Sequence, residues 1–160
     1  MNRGREETEL ERLDRNLTEL MAELRVALPG VQVLFAFLLV APFNQRFGKT
    51  TGFERGLYFA ALLCTLLASI LLIAPTVIHR LEFRRGEKEY IVSAGNRLTI
   101  VGLIALALAM TFAIALVTGF LFGTATAVVT TAVAVLAFSM IWFVVPLWRR
   151  RVSQRSSALG

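Results

Sequence analysis

The stretch HRLEFRRGEKEYIVSAGNR, His79–Arg97, decides how the rest of the chain is read. It is short and dense in charge, and five of its residues are basic: Arg80, Arg84, Arg85, Lys88 and Arg97. Long apolar runs flank it on both sides, so it reads as a solvent-exposed bridge between two membrane hairpins. Its charge sets the side of the membrane it occupies, because short loops rich in Lys and Arg stay in the cytoplasm. The direction of every other segment follows from that.

Working outward, four apolar stretches appear at about 26–43, 56–78, 98–118 and 124–147. A helix of about 20 apolar residues matches a hydrocarbon layer about 30 Å thick. Of the 160 residues, 56% are hydrophobic and 18% charged, more apolar surface than a soluble chain this size could bury. The expected fold is all-α: a four-helix transmembrane bundle of two hairpins, preceded by an amphipathic cytoplasmic helix. The expected boundaries are that helix at 1–28, a membrane domain at 29–148 containing the bridge 79–97, and a basic tail at 149–160.

Orientation follows from counting Lys and Arg. The N-terminal zone carries five, the bridge five and the tail four; the connections 44–55 and 119–123 carry three and none. Alternate segments thus hold 14 against 3, which places both termini and the bridge in the cytoplasm and the protein in the inner membrane of a bacterium. The N-terminus has no basic region leading directly into a short apolar core, so no cleavable signal peptide is expected.

Residues 1–28 form a zone of their own. Leu10, Leu17 and Leu24 are seven apart, as are Leu13, Leu20 and Ala27, an a/d pattern of about two and a half heptads. Seven acids and five arginines occupy much of the rest, and Glu11 with Arg15 is spaced for an i,i+4 pair. Three placements of the leucine stripe are open. It packs on its own bundle, it forms a seam for a second copy or a membrane partner through Leu10, Leu13, Leu17, Leu20 and Leu24, or it lies at the membrane surface. A net acidic face argues against the last. Glu19, Glu23 and Arg25 are either a solvated face or, pairing with the bridge arginines, part of a charged cytoplasmic collar.

The first span is the shortest. Val31–Phe43 is only about 13 residues, and extension back to Val26 passes through Pro29-Gly30. Proline inside a helix removes a backbone donor, which predicts a kink or a break there. Gln32 shares a face with Ala36, and that face is expected inward, where the amide of Gln32 finds a partner as an intramembrane polar site.

In the second span Ala60, Cys64 and Ala68 make a small-residue face; in the third, Ala105, Ala109 and Ala113 do. Ser93 or Asn96 is placed to cap the third, Gly119–Gly123 to turn the chain, and Ala127, Thr131 and Ala134 to line one side of the fourth. Trp142 and Trp148 bracket the chain's exit at headgroup depth. Leu38–Pro42 echoes Leu71–Pro75, but the two helices run in opposite directions, so no internal repeat is read from it.

The chemistry is sparse. Asp14 is the sole aspartate, and no Asp, Glu, Lys or Arg falls inside the four spans. Polar side chains at depth are limited to Gln32, Thr65, Ser69, Thr111, Thr130, Thr131 and Ser139, and Ser or Thr in a span commonly bonds back to its own helix. With one histidine, His79, and one cysteine, Cys64, no multi-histidine metal site, cysteine cluster or intrachain disulfide can form. No nucleophile elbow, phosphate loop or dinucleotide fingerprint is present. The expectation is a non-enzyme without cofactor. The basic residues flank apolar runs, which fits orientation and anionic headgroups rather than nucleic acid. His79, Arg80, Arg84, Arg85 and Arg97 are the candidate contacts to lipid or partner, and the same residues also serve as an ordinary topology signal.

Several segments together resemble a known family: ERLDRNLTELMAELRV (11–26), GVQVLFAFLL (30–39) with Pro42-Phe43, FERGLY (53–58), IAPTVIHR (73–80) and Asn96-Arg97-Leu98. They are similar to a family of small bacterial four-helix membrane proteins of unknown function, over roughly residues 10–120. Some members carry a sodium:proton antiporter label. The resemblance implies the same architecture and suggests transport, without catalytic or binding residues to carry over. Two readings of function follow: a membrane protein acting by oligomerisation or by contact with partners and lipid, and a small oligomeric transporter such as an antiporter. Coupled transport generally needs an ionisable group at membrane depth, and the spans hold none.

Overall fold

A computed structural model describes residues 8–82 and 88–144. Helix α1 spans Glu9–Val40, α2 Gly52–Glu82, α3 Lys88–Phe122 and α4 Thr124–Phe138, with a π-helical turn continuing α4 over Ser139–Val144. Short 3-10 turns at Ala41–Phe43 and Gln45–Lys49 connect α1 to α2. Among the described residues there is no strand. The fold is all-α, as expected, and each of the four helices is long and apolar enough to cross a membrane. The chain divides into two compact units, one of Met1–Gly48 with Leu62–Ala109 and one of Lys49–Ala61 with Met110–Gly160.

The first two helices begin by the same device, a threonine three residues before a glutamate. The hydroxyl of Thr8 accepts from the Glu11 amide at 3.3 Å, and the Glu11 carboxylate accepts from the Thr8 amide at 2.9 Å and its hydroxyl at 3.0 Å. Thr51 and Glu54 repeat this at 3.3, 2.7 and 3.0 Å. Each capping box satisfies two amides that a helix start otherwise leaves bare. Those bonds hold the Glu11 carboxyl below its ordinary value. Glu11 is therefore engaged by the cap, and Arg15 pairs with Glu19 at i,i+4 instead, at 3.8 Å and exposed on both sides.

Of the kink or break expected at Pro29, the break does not occur; α1 runs through it. The reason is in the spacing. Leu17, Leu24, Val31 and Leu38 are seven apart, as are Leu13, Leu20, Ala27 and Leu34, so one a/d seam continues across the proline. Leu20, Leu24, Val31 and Leu38 are buried and the other four half-buried. Apolar packing before and after Pro29 holds the helix together. Pro29 itself is exposed, and the carbonyl it frees is that of Arg25, close to the polar end of the span.

Helix α2 buries Ala61, Thr65, Ala68, Leu72 and Pro75 at alternating steps of four and three. The expected face of Ala60, Cys64 and Ala68 is thus rotated: Ala68 is buried, while Ala60 and Cys64 are half-buried. Helix α3 buries Ile91, Gly95, Thr99, Gly102, Leu106 and Ala109. Of its expected small face, Ala105 and Ala109 are buried and Ala113 half-buried. Two close approaches also fall at glycines. A Cβ on Gly95 would lie 3.0 Å from Leu20 Cδ2 and 3.5 Å from Pro75 Cβ, and one on Gly102 would lie 2.8 Å from Leu72 Cγ. Side chains of α1 and α2 occupy the space where α3 lacks its own, as small-residue helix interfaces do.

The charged bridge is more helical than expected. Helix α2 continues to Glu82 and α3 starts at Lys88, so Ser93 and Asn96 sit inside a helix rather than at its cap. Arg84 and Arg85 lie outside the described residues, as do Trp148 and the tail.

In the second unit the turn between α3 and α4 is one residue long. Gly119 is helical, and only Gly123 leaves the helix, at φ +86°. Glycine alone takes that angle without a Cβ penalty. A Cβ on Gly119 would meet Ala127 Cβ at 3.6 Å, and the hydroxyls of Thr130 and Thr118 are 3.1 Å apart. Ala127, Thr131 and Ala134 are half-buried along one side of α4, as expected, and no residue of Thr124–Phe138 is fully buried. Phe138 and Trp142 stack edge to face at 5.1 Å across the entry to the π-helical turn.

Candidate functional site

The leucine stripe of α1 brings the polar end of the first unit together. Leu20 Cδ2 lies against the position of Gly95, and Pro75 lies beside the same glycine. Met21 Sδ accepts from the Thr76 hydroxyl at 3.7 Å. Leu20, Pro75 and Gly95 therefore mark one level on three helices. Leu20 and Leu24 are 8% and 2% exposed, so the lower half of the expected seam is filled by the chain itself. Leu13 and Leu17 are half-buried, and the side chain of Leu10 lies outside what the structure describes.

Measured from that level at about 1.5 Å per residue, three arginines and His79 fall in one band. Arg97 is two residues along α3, about 3 Å inward, and Arg25 is five residues along α1, about 7.5 Å inward. Arg80 is five residues outward on α2, again about 7.5 Å. Arg25, Arg80 and Arg97 are all exposed and His79 is half-buried. The four come from three different helices, yet lie within about 15 Å along the axis, a depth long side chains reach by snorkelling to the headgroups. His79 and Arg80 also occupy the last turn of α2, where positive charge meets the negative end of the helix dipole. Arg25, read from the sequence together with Glu19 and Glu23, is exposed, and the heptad continuing from Leu24 to Val31 is the signal that places it on the outer face.

Glu19 pairs with Arg15 on its own helix, and Glu23 is exposed. The bridge arginines Arg84 and Arg85, with which Glu19 and Glu23 would pair in the second of the two readings, lie outside the described residues. An exposed pair such as Arg15–Glu19 contributes about 0.2–1 kcal/mol.

Deeper in the spans, hydroxyls serve their own helices. Ser69 donates to the Thr65 carbonyl at 2.9 Å, Thr99 to Gly95 at 2.9 Å and Thr118 to Ile114 at 2.7 Å. Thr131 Oγ1 is buried without a partner among the described residues. Gln32 departs from expectation. It is exposed, as is Ala36, because the buried line of α1 passes through Val31 and leaves its neighbour a hundred degrees round the helix. Among the described residues no group of three or more His, Cys, Asp or Glu is placed to hold a metal.

A family described as a family of unknown function (DUF6328) matches residues 6–146, reaching through the fourth helix. No curated protein and no solved structure matches the chain.

Proposed function

The chain belongs to this family of unknown function, and from that premise we propose an integral membrane protein that works by association rather than catalysis. Its basic end holds anionic lipid headgroups at the cytoplasmic face of a bacterial inner membrane, and its membrane surface meets a further copy or a membrane partner. The carrying observation is the convergence of Arg25, Arg80 and Arg97, exposed, from three helices onto one end of the first unit. Guanidinium groups at that depth pair with phosphate oxygens in a forked geometry that lysine lacks. The distribution of Lys and Arg, 14 against 3, supports a cytoplasmic location for that end and for both termini.

The spans support association over ion exchange. From Val26 to Gln45, Gly56 to Ile78 and Leu98 to Trp148 there is no Asp, Glu, Lys, Arg or His. An exchanger would have to bind and release its ions there through neutral oxygens alone.

Mass spectrometry of the protein released from nanodiscs of mixed phosphatidylglycerol and phosphatidylethanolamine tests the proposal. We expect phosphatidylglycerol to remain bound preferentially, and the combined Arg25→Gln, Arg80→Gln and Arg97→Gln substitutions to abolish that preference. Equal retention of both lipids by the unaltered chain would refute it.

A further inference from the structure

Gln32 lies in the wrong place for a lone amide. It is seven residues past Arg25 and twelve before Asn44, so it sits about 10 Å inside the charged end of the span and about 18 Å from its other polar end. That is the hydrocarbon interior. The side chain is exposed there, and among the described residues nothing bonds to it. It cannot turn inward, because the inner face of α1 is taken by Leu24, Val31 and Leu38. A carboxamide in lipid without a partner is unfavourable, and water does not reach it to help.

We propose that Gln32 is the centre of a symmetric dimer in which the outer faces of two α1 helices cross. This deepens the association reading by naming a second copy of the chain as the partner. The argument for a second copy is the chemistry of the amide. It carries two donors and an acceptor on one group, so two glutamines facing each other across a two-fold axis complement one another. Copies inserted in the same direction place this residue at the same depth automatically, whereas a different partner would need its own polar group at that level. The surroundings permit close approach. Ala22, Pro29 and Ala36 recur every seven residues beside Gln32, all exposed, and a Cβ on Gly30 would have nothing within 4 Å. Arg25 lies on the same line one heptad away. A crossing centred on Gln32 carries the two Arg25 side chains apart and leaves both at the headgroups.

Cysteine cross-linking of the full chain in membranes tests this, in a Cys64→Ala background. Ala36→Cys and Leu39→Cys flank Gln32 on the proposed contact side; Val26→Cys and Phe37→Cys, about 120° and 140° round the helix from Gln32 and both exposed, are turned away. We expect disulfide-linked dimers at the first pair several-fold above the second. In a fluorescence-transfer titration in liposomes, Gln32→Leu should weaken dimerisation about tenfold, and Gln32→Asn should retain most of it. Equal cross-linking on both sides, an unchanged dimer with Gln32→Leu, or a Gln32-dependent cross-link only to a different protein would overturn the proposal. Retained phosphatidylglycerol with no dimer would sink this inference alone; loss of both in the unaltered chain would sink the association reading with it.

Discussion

Gly102 is where the helix packing of the first unit is least forgiving. A Cβ there would lie 2.8 Å from Leu72 Cγ, 2.9 Å from Leu72 Cδ2 and 3.2 Å from Leu71 Cβ. The first two distances are shorter than carbon atoms tolerate, and Leu72 is fully buried with little room to move. Overpacking of this kind costs about 1–3 kcal/mol. Alanine is also the better helix former, by about 1 kcal/mol, which works in the opposite direction. Gly30→Ala separates the two effects. It sits in a helix with nothing within 4 Å of the added carbon, so it gains the propensity term without the clash. The propensity term cancels in the difference, and Gly102→Ala should be less stable than Gly30→Ala by about 1–3 kcal/mol. Leu72→Ala removes the two nearest colliding atoms, so adding Gly102→Ala to it should cost far less than adding it to the unaltered chain. Reversible unfolding in mixed micelles, followed by circular dichroism over a titration of denaturing detergent, measures the four variants and the unaltered chain. Equal stability of the two glycine variants would refute the packing derived for α2 and α3.

Other outcomes follow from the same geometry. Leu24→Ala should destabilise the protein by about 2 kcal/mol or more in that titration, because Leu24 is buried inside the unit, whereas Val26→Ala, 81% exposed, should change little. The carboxyl of Glu11 is depressed by its cap bonds, so its contribution is present above the unfolded value of about 4.3 and is lost as pH falls through the lower folded value. Hydrogen exchange of the first turn of α1 should accelerate in that acid window, and in Thr8→Ala the acceleration should be present already at neutral pH. In proteoliposomes carrying a pH-sensitive dye, sodium pulses should give no proton movement beyond that of empty vesicles; robust exchange abolished by Gln32→Leu would favour a transporter.

Much of the architecture was open to reading because lipid imposes a coarse rule. Four apolar runs and the arginines between them need only length and charge to be recognised, and all four helices stand close to where those runs lie. The faces were harder. Small residues four apart suggested Ala60, Cys64 and Ala68, but the buried line of α2 alternates steps of four and three, as helices packed at shallow angles do. On α1 the heptad of Leu10, Leu17 and Leu24 is masked at Pro29, a residue that ordinarily ends a helix, although Val31 and Leu38 extend it. Following it through would have turned Gln32 outward. Gly95 and Gly102 are seven apart on the seam that ends at Ala109, a pattern that the more numerous alanines of α3 obscure. The helix ends are not marked by the change from apolar to polar residues: α2 reaches Glu82 and α3 reaches back to Lys88, both beyond the apolar core of their spans.

The account rests on the basic end of the chain facing the cytoplasm, with four crossings between it and the opposite surface. Single cysteines at Thr18, Gly48 and Asn96, each exposed, can be probed with a membrane-impermeant maleimide on spheroplasts in a Cys64→Ala background. We expect Gly48→Cys to be labelled on intact spheroplasts, and Thr18→Cys and Asn96→Cys only after the membrane is opened. Labelling of either of those two from outside, with Gly48→Cys protected, would contradict it.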